Sequence, residues 1–229
     1  MIQPPDGQPV VEAEAATRRG YSHAYNEDAY LVSVDAHVFA VADGMGGHRD
    51  GHRASNLVVS ALAKKLERPA AFEDRILASQ IAIEEANAAL HSEAVANPAL
   101  GISGSTVVAL VVGEGYACCL WVGDSRLYLM RSGRLYLISE DHAAVSGALT
   151  RAVGSAGKVA VERRLVELSD GDVFLLCSDG LLKGMTEETL IDILAGGGEN
   201  VADRLLAKSV AGGSTDDITL VLVWVYSRG

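Results

Sequence analysis

Two long stretches free of internal glycine and proline stand back to back between short β-rich runs, and they limit the fold more than any other feature. From Gly51 to Leu66 the apolar residues Ala54, Leu57, Val58, Ala61, Leu62 and Leu66 recur at helical spacing. A second helix is predicted from about Glu73 to Val95, with Ile76, Ile81, Ile83, Ala86 and Leu90 at its apolar positions. Ahead of the pair, Val10 to Thr17, Ala29 to Val34 and His37 to Ala42 read as strands, the first as an edge. Behind it, Ser105 to Val112, Tyr116 to Val122, Arg126 to Arg131 and Arg134 to Ile138 are β-branched or aromatic runs. The breaks Gly113-Glu114-Gly115 and Ser132-Gly133 look like hairpin turns. Arg164 to Leu168 and Val173 to Cys177 follow across the turn Ser169-Asp170-Gly171-Asp172, and Ile218 to Tyr226 closes the strand set. Helices are expected at Thr186 to Ala195 and Glu199 to Val210. Strands and helices do not alternate as βαβ units, so a doubly wound parallel sheet is disfavoured. The order favours an α+β sandwich of antiparallel sheets covered by helices. No linker, repeat or low-complexity stretch divides the 229 residues, and a single domain is expected.

Charge narrows the function classes. Thirty acidic residues against nineteen basic ones give a formal net charge of −11. Such a surface repels nucleic-acid backbones and anionic lipid, so neither is an expected partner. No apolar run reaches the roughly 18–20 residues of a membrane helix, and the opening Met1 to Gly7 lacks the pattern of a secretory signal. A soluble, cytoplasmic protein is therefore expected. Cys118, Cys119 and Cys177 form no CxxC pattern, and the adjacent pair would point to opposite faces of a strand. They read as buried, reduced thiols.

The chemistry is suggested by where the aspartates fall. Asp43 follows Val38-Phe39-Ala40-Val41-Ala42, Asp124 follows Leu120-Trp121-Val122-Gly123, and Asp179 follows Phe174-Leu175-Leu176-Cys177-Ser178. Asp216 and Asp217 precede the final strand. Any one Asp-Gly step is an ordinary turn signal. Several acids at strand ends that converge would raise one another's pKa unless a cation neutralised them. An all-oxygen set of this kind suits Mg²⁺ or Mn²⁺, and the scarcity of Cys/His pairs disfavours structural zinc.

The segments Asn26-Glu27-Asp28, Asp43-Gly44-Met45-Gly46-Gly47-His48, Gly104-Ser105-Thr106, Gly123-Asp124-Ser125-Arg126, Asp141-His142, Thr150-Arg151-Ala152-Val153-Gly154, Ser178-Asp179-Gly180 and Asp216-Asp217-Ile218-Thr219 run in one order along nearly the whole chain. In these the chain resembles the bacterial PPM (type 2C) metal-dependent Ser/Thr protein phosphatases. The resemblance implies a four-layer α-β-β-α sandwich, two antiparallel sheets flanked by pairs of helices. It implies hydrolysis of phosphoserine and phosphothreonine by direct attack of a metal-bridging water, with two Mn²⁺ or Mg²⁺ ions and a weaker third. Asp43 would bridge the two ions and the Gly44 carbonyl would bind one, while Asp179 and Asp216 would ligate the other. Those three aspartates form the implied catalytic set. Glu27 matches an acid that contacts metal-bound water, Asp124 one that helps hold the third ion, and Asp28 and Asp217 supporting acids behind the ligands. Met45 stands where eukaryotic members carry a proposed general-acid His, as is usual in the bacterial form. Phosphoproteins of a bacterial Ser/Thr kinase are the implied substrates, and a monomer the implied state.

The sequence departs from the pattern twice. His23 occupies the position of the Arg that grips substrate phosphate, and a histidine offers at most two donors and partial charge near neutrality. Only Ala143 to Leu149 separate His142 from Thr150, a shortened flap that would leave the site open to varied substrates. These departures keep open an alternative, a phosphatase-like regulatory or phosphoprotein-binding module with little catalysis. His52 and Arg53 are expected at an exposed first helical turn, Arg126 in a structural ion pair, His142 packed beneath the flap base, and Trp121 and Trp224 in the core.

Overall fold

The computed structural model describes residues 9–21, 24–46, 49–66, 70–101, 103–113 and 115–226. Eleven strands form two antiparallel sheets among these residues. The first sheet runs β1 (Val10–Arg18), β11 (Ile218–Tyr226), β10 (Asp172–Cys177), β7 (Arg126–Arg131), β8 (Arg134–Leu137). The second runs β2 (Asp28–Ser33), β3 (Val38–Met45), β5 (Val107–Gly113), β6 (Tyr116–Val122), β9 (Glu162–Glu167), with β4 (Gly104–Ser105) paired to the end of β3. Helices α1 (Arg49–Lys65) and α2 (Phe72–Ala96) cover the second sheet; α3 (Gly180–Lys183), α4 (Glu187–Gly196) and α5 (Val201–Ala211) cover the first.

The side-chain period of two turns these strands into a four-layer stack. On β3, Val38, Ala40 and Ala42 face α1 and α2, while Phe39 and Val41 face the opposite sheet. Strand β10 repeats the division, with Phe174 and Leu176 toward the other sheet and Leu175 and Cys177 toward the helices. Three apolar interfaces result, one between each pair of adjacent layers. Each fully buried Leu or Phe in them contributes roughly 1.5–3 kcal/mol. Such strands read as continuous apolar runs because neither face meets water. Cys118 packs under the helices and Cys119 between the sheets, both as free buried thiols.

The helices follow their patterns. Ala54, Val58 and Leu62 are buried at four-residue intervals on α1, and Ile76, Ile83, Ala86 and Leu90 on α2, although Ile81 is only half-buried. Thr186 caps α4 by accepting from the Thr189 N–H at 3.3 Å. The structure adds to or departs from expectation in several places. Strand β3 continues through Asp43 to Met45, because Gly44 and Met45 pair with Ser105 and Gly104. The expected strand from Ser105 is broken at Thr106 into β4 and β5. The expected turn at Ser169 to Asp172 is present, and it carries the chain from one sheet to the other, since β9 pairs with β6 and β10 lies between β11 and β7. The four-residue α3 and a 3-10 turn at Pro98–Leu100 are too short to leave a periodic signature. No helix among the described residues is long and apolar enough to cross a membrane.

Candidate metal centre

The acids gather where the gap between the sheets opens at one end. Asp28 and Asp43 are direct partners in the β2–β3 register. From the facing sheet, Ser178 follows β10 and donates its hydroxyl to Asp28 Oδ2 at 2.8 Å. The Asp43 backbone is fully engaged: its N–H donates to Thr106 Oγ1 at 3.1 Å, and its carbonyl accepts from the Thr106 N–H at 2.8 Å and Ser105 Oγ at 3.0 Å. The break at Thr106 thus clamps Asp43 from its neighbour strand. Thr106 Oγ1 in turn lies 2.6 Å from Ser125 Oγ, beside Asp124.

Burial, and then the like charges gathered here, disfavour the ionised carboxylates of the cluster. Burial, followed by the charges of Asp28, Asp179, Asp216 and Asp124, holds the Asp43 carboxyl well above the usual carboxylate range. Burial lifts Asp28 to about 7 against the opposing hydrogen bonds from Ser178 and Thr219. Asp124 is raised by burial and by Asp179. Burial penalises the ionised form, and neighbouring carboxylates add to that penalty.

A second layer of contacts sets the backbone. Asp217, almost fully buried, accepts the Gly20 N–H on Oδ1 and the Glu27 N–H on Oδ2, both at 2.7 Å. It therefore ties the chain leaving β1 and the Asn26-Glu27-Asp28 segment to the start of β11. The Glu27 carbonyl accepts from the Gly44 N–H at 3.0 Å. Gly51, in the first turn of α1, lies against both partners. A Cβ there would fall 2.6 Å from Glu27 Oε2 and 3.0 Å from the Gly44 carbonyl carbon. The Glu27 carboxylate and Gly44 carbonyl are thereby brought to one spot by a residue that cannot carry a side chain. Gly180 is constrained likewise, since a Cβ would meet the Asp217 carbonyl oxygen at 1.9 Å.

Asp43, Asp124, Asp179 and Asp216 line a cavity of about 490 Å³ together with Thr106 and Lys183. Met45, Gly147 and Leu149 complete the wall, the last two from a tight turn closed by an Ala143–Leu149 bridge. Among the described residues, no three acidic, histidine or cysteine side chains already surround a common point. The Lys183 ammonium instead spans two of them, 2.6 Å from Asp179 Oδ2 and 2.5 Å from Asp216 Oδ2. Burial lowers its pKa, but the two carboxylates outweigh that and leave it above the ordinary lysine value. The donor set fits a hard divalent ion. Every group is an oxygen donor, and Asp28 Oδ1 is buried without a hydrogen-bond partner.

Asp124 sits on a turn that His142 fastens. The Gly123 N–H donates to His142 Nδ1 at 3.0 Å, and the His142 N–H donates to the Gly123 carbonyl at 3.0 Å. The imidazole stacks on Trp121, and burial together with the Arg151 charge lowers its pKa. Arg126 is a forked partner of Asp141, with Nη2 2.7 Å from Oδ2, and also donates to Tyr128 Oη. His52 and Arg53 are exposed. Trp121 is buried and Trp224 half-buried. His23, the expected phosphate contact, lies outside the described residues, as does His48. Sequence reasoning passed over Gly51 and Lys183. The second left a signal in its position four residues after Asp179, one helical turn away.

The sequence profile of the family described as Protein phosphatase 2C matches residues 17–210. The serine/threonine protein phosphatase PstP of Mycobacterium tuberculosis is 31% identical over 93% of this chain, which spans 45% of that relative's length. Among solved structures, PppA, described as a key regulatory component of T6SS in Pseudomonas aeruginosa, superposes with a TM-score of 0.90. It is 32% identical and matches 96% of this chain and 100% of its own. The catalytic domain of PstP in complex with two manganese ions superposes with a TM-score of 0.83. It is 31% identical over 96% of this chain and 100% of its own.

Proposed function

Because this chain belongs to the protein phosphatase 2C family, we propose that it is a metal-dependent protein serine/threonine phosphatase. One observation carries the reading. Asp43 faces the charges of Asp28, Asp179, Asp216 and Asp124 at the mouth of a cavity, an arrangement that calls for divalent cations. Asp43 would be shared by two ions, with the Gly44 carbonyl and Glu27 serving one and Asp179 and Asp216 the other. Asp124 would help hold a weaker third, and Asp28 and Asp217 would support the ligands from behind. When bound at these residues, Mn²⁺ or Mg²⁺ would supply Lewis acidity toward water and phosphoryl oxygen.

The chain's own residues do the rest. Asp217 fixes the Glu27 backbone, Thr106 fixes Asp43, and His142 fixes the turn bearing Asp124. Met45 lines the cavity, and its thioether has no proton to give to the leaving alkoxide. The relatives named as serine/threonine protein phosphatases support phosphoserine and phosphothreonine proteins as substrates, which a bacterial Ser/Thr kinase would supply. A single-domain, monomeric, cytoplasmic enzyme is the accompanying reading, and the short turn at 143–149 would admit small esters as well as proteins. The deciding experiment is phosphate release from a phosphothreonine peptide, with phosphotyrosine as the negative case. Release should require Mn²⁺ or Mg²⁺ and vanish in Asp179→Asn. Metal-independent release, or none from any phosphopeptide, would refute the reading.

A further inference from the structure

The cavity contains a positive charge of its own, and that charge sits on the two carboxylates assigned to one ion. Lys183 Nζ is within hydrogen-bond distance of Asp179 Oδ2 and Asp216 Oδ2, oxygens that come from chain segments far apart in sequence. The placement follows from the local fold. Asp179 and Lys183 are one turn apart across α3, whose Lys183 N–H donates to the Asp179 carbonyl at 3.3 Å. The start of α3 is held against the segment before β11 by Ser214 Oγ, which donates to the Gly180 carbonyl at 2.8 Å. Asp216 lies on that same segment, so the lysine stem is aimed at both acids by a fixed scaffold.

An ammonium and a divalent ion cannot share these oxygens. Each is a hard cation that gains its binding energy from the same carboxylate charge, and at about 2–3 Å separation their mutual repulsion is large. A lysine reaches its partners on a flexible four-carbon stem, so the ammonium can swing out while its backbone stays in place. Lys183 is half-exposed, which gives it solvent to move into.

We propose that Lys183 is a built-in competitor cation: its ammonium occupies the Asp179–Asp216 pair, is expelled when a divalent ion takes those oxygens, and so raises the ion concentration at which the site fills. The inference rests on the ion-site reading above and deepens it by naming what sets the site's ion threshold. The single ammonium offsets one of the two carboxylate charges, so the pair keeps a net negative charge for a divalent ion to meet.

Calorimetric titration of Mn²⁺ into the EDTA-treated full chain tests it. Lys183→Met should bind the ion at this pair about tenfold more tightly than the wild type, as expected for losing two half-exposed ion pairs, whereas Lys183→Arg, which keeps a cation, should not. Unchanged or weaker binding in Lys183→Met would overturn the inference. A second readout uses the unmodified sequence: acetylation by an N-hydroxysuccinimide ester, mapped by mass spectrometry. Mn²⁺ should raise labelling of Lys183 relative to the exposed Lys64 and Lys158, and unchanged or reduced labelling would refute its displacement. A wild-type chain that takes up no Mn²⁺ would refute instead the ion-site reading beneath the proposal.

Discussion

Replacing Asp217 by alanine should destabilise the metal-free chain by about 3 kcal/mol, and the number follows from two contacts. Its carboxylate accepts the buried Gly20 and Glu27 N–H groups, each at 2.7 Å. Hydrogen bonds to a charged acceptor contribute about 1.5–3 kcal/mol each, and an amide left unmet in the interior costs about 1–3 kcal/mol. Both losses together span about 2–6 kcal/mol. Two effects reduce the total. Water can enter the vacated volume, and removal of the Asp217 charge relieves part of the repulsion that lifts Asp28. Asp217→Asn separates the contributions. Its amide oxygen can accept one N–H, but its NH₂ faces the other, donor against donor, so its stability should fall between wild type and alanine. Urea denaturation in EDTA measures this without a contribution from ion binding. For a chain of this size a loss of about 3 kcal/mol corresponds to a melting temperature lower by about 6–12 °C. An alanine variant within about 1 kcal/mol of wild type would show that Asp217 does not clamp these segments.

Two further outcomes follow from the same geometry. Gly51→Ala should push the Glu27 carboxylate away from the Gly44 carbonyl and weaken Mn²⁺ binding about tenfold, while the gain in helix propensity of about 1 kcal/mol keeps stability nearly level. Unchanged calorimetric affinity would remove Glu27 and Gly44 from the ion site. Asp28 is lifted from 3.8 to about 7 in the folded chain, so its neutral form stabilises the fold below the unfolded value, and that stability is lost as pH rises through about 7. In EDTA the melting temperature should therefore fall between pH 5 and pH 8, values chosen to bracket the Asp28 transition, and Asp28→Asn should flatten the fall. An equal fall in that variant would assign the effect to another group.

The layered fold was legible in the sequence because its cause is local. The strand runs from Val38, Tyr116, Arg126 and Ile218 are apolar on both faces or nearly so, and the two long helices carry their stripes openly. Partnership between strands was less legible. Nothing in Ser169-Asp170-Gly171-Asp172 tells that the chain leaves one sheet for the other there, since a turn sequence encodes a reversal and not the strand that receives it. The aspartates announced themselves by their Gly and Ser neighbours. The β2–β3 register that sets Asp28 against Asp43 could not be read, because it depends on the turn between the strands and on Thr106 holding the end of β3. Gly51 reads as an ordinary helix-start residue, and Lys183 carries no motif that singles it out. Their parts depend on side chains from distant segments, Glu27 in one case and Asp216 in the other.

The most direct test of the central claim is anomalous diffraction at the manganese edge from crystals grown with Mn²⁺. Two peaks should lie on either side of the Asp43 carboxylate, one beside the Gly44 carbonyl and the other between Asp179 and Asp216, with the Lys183 ammonium moved away. A map without a peak at Asp43, or with manganese bound only elsewhere on the acidic surface, would contradict the account.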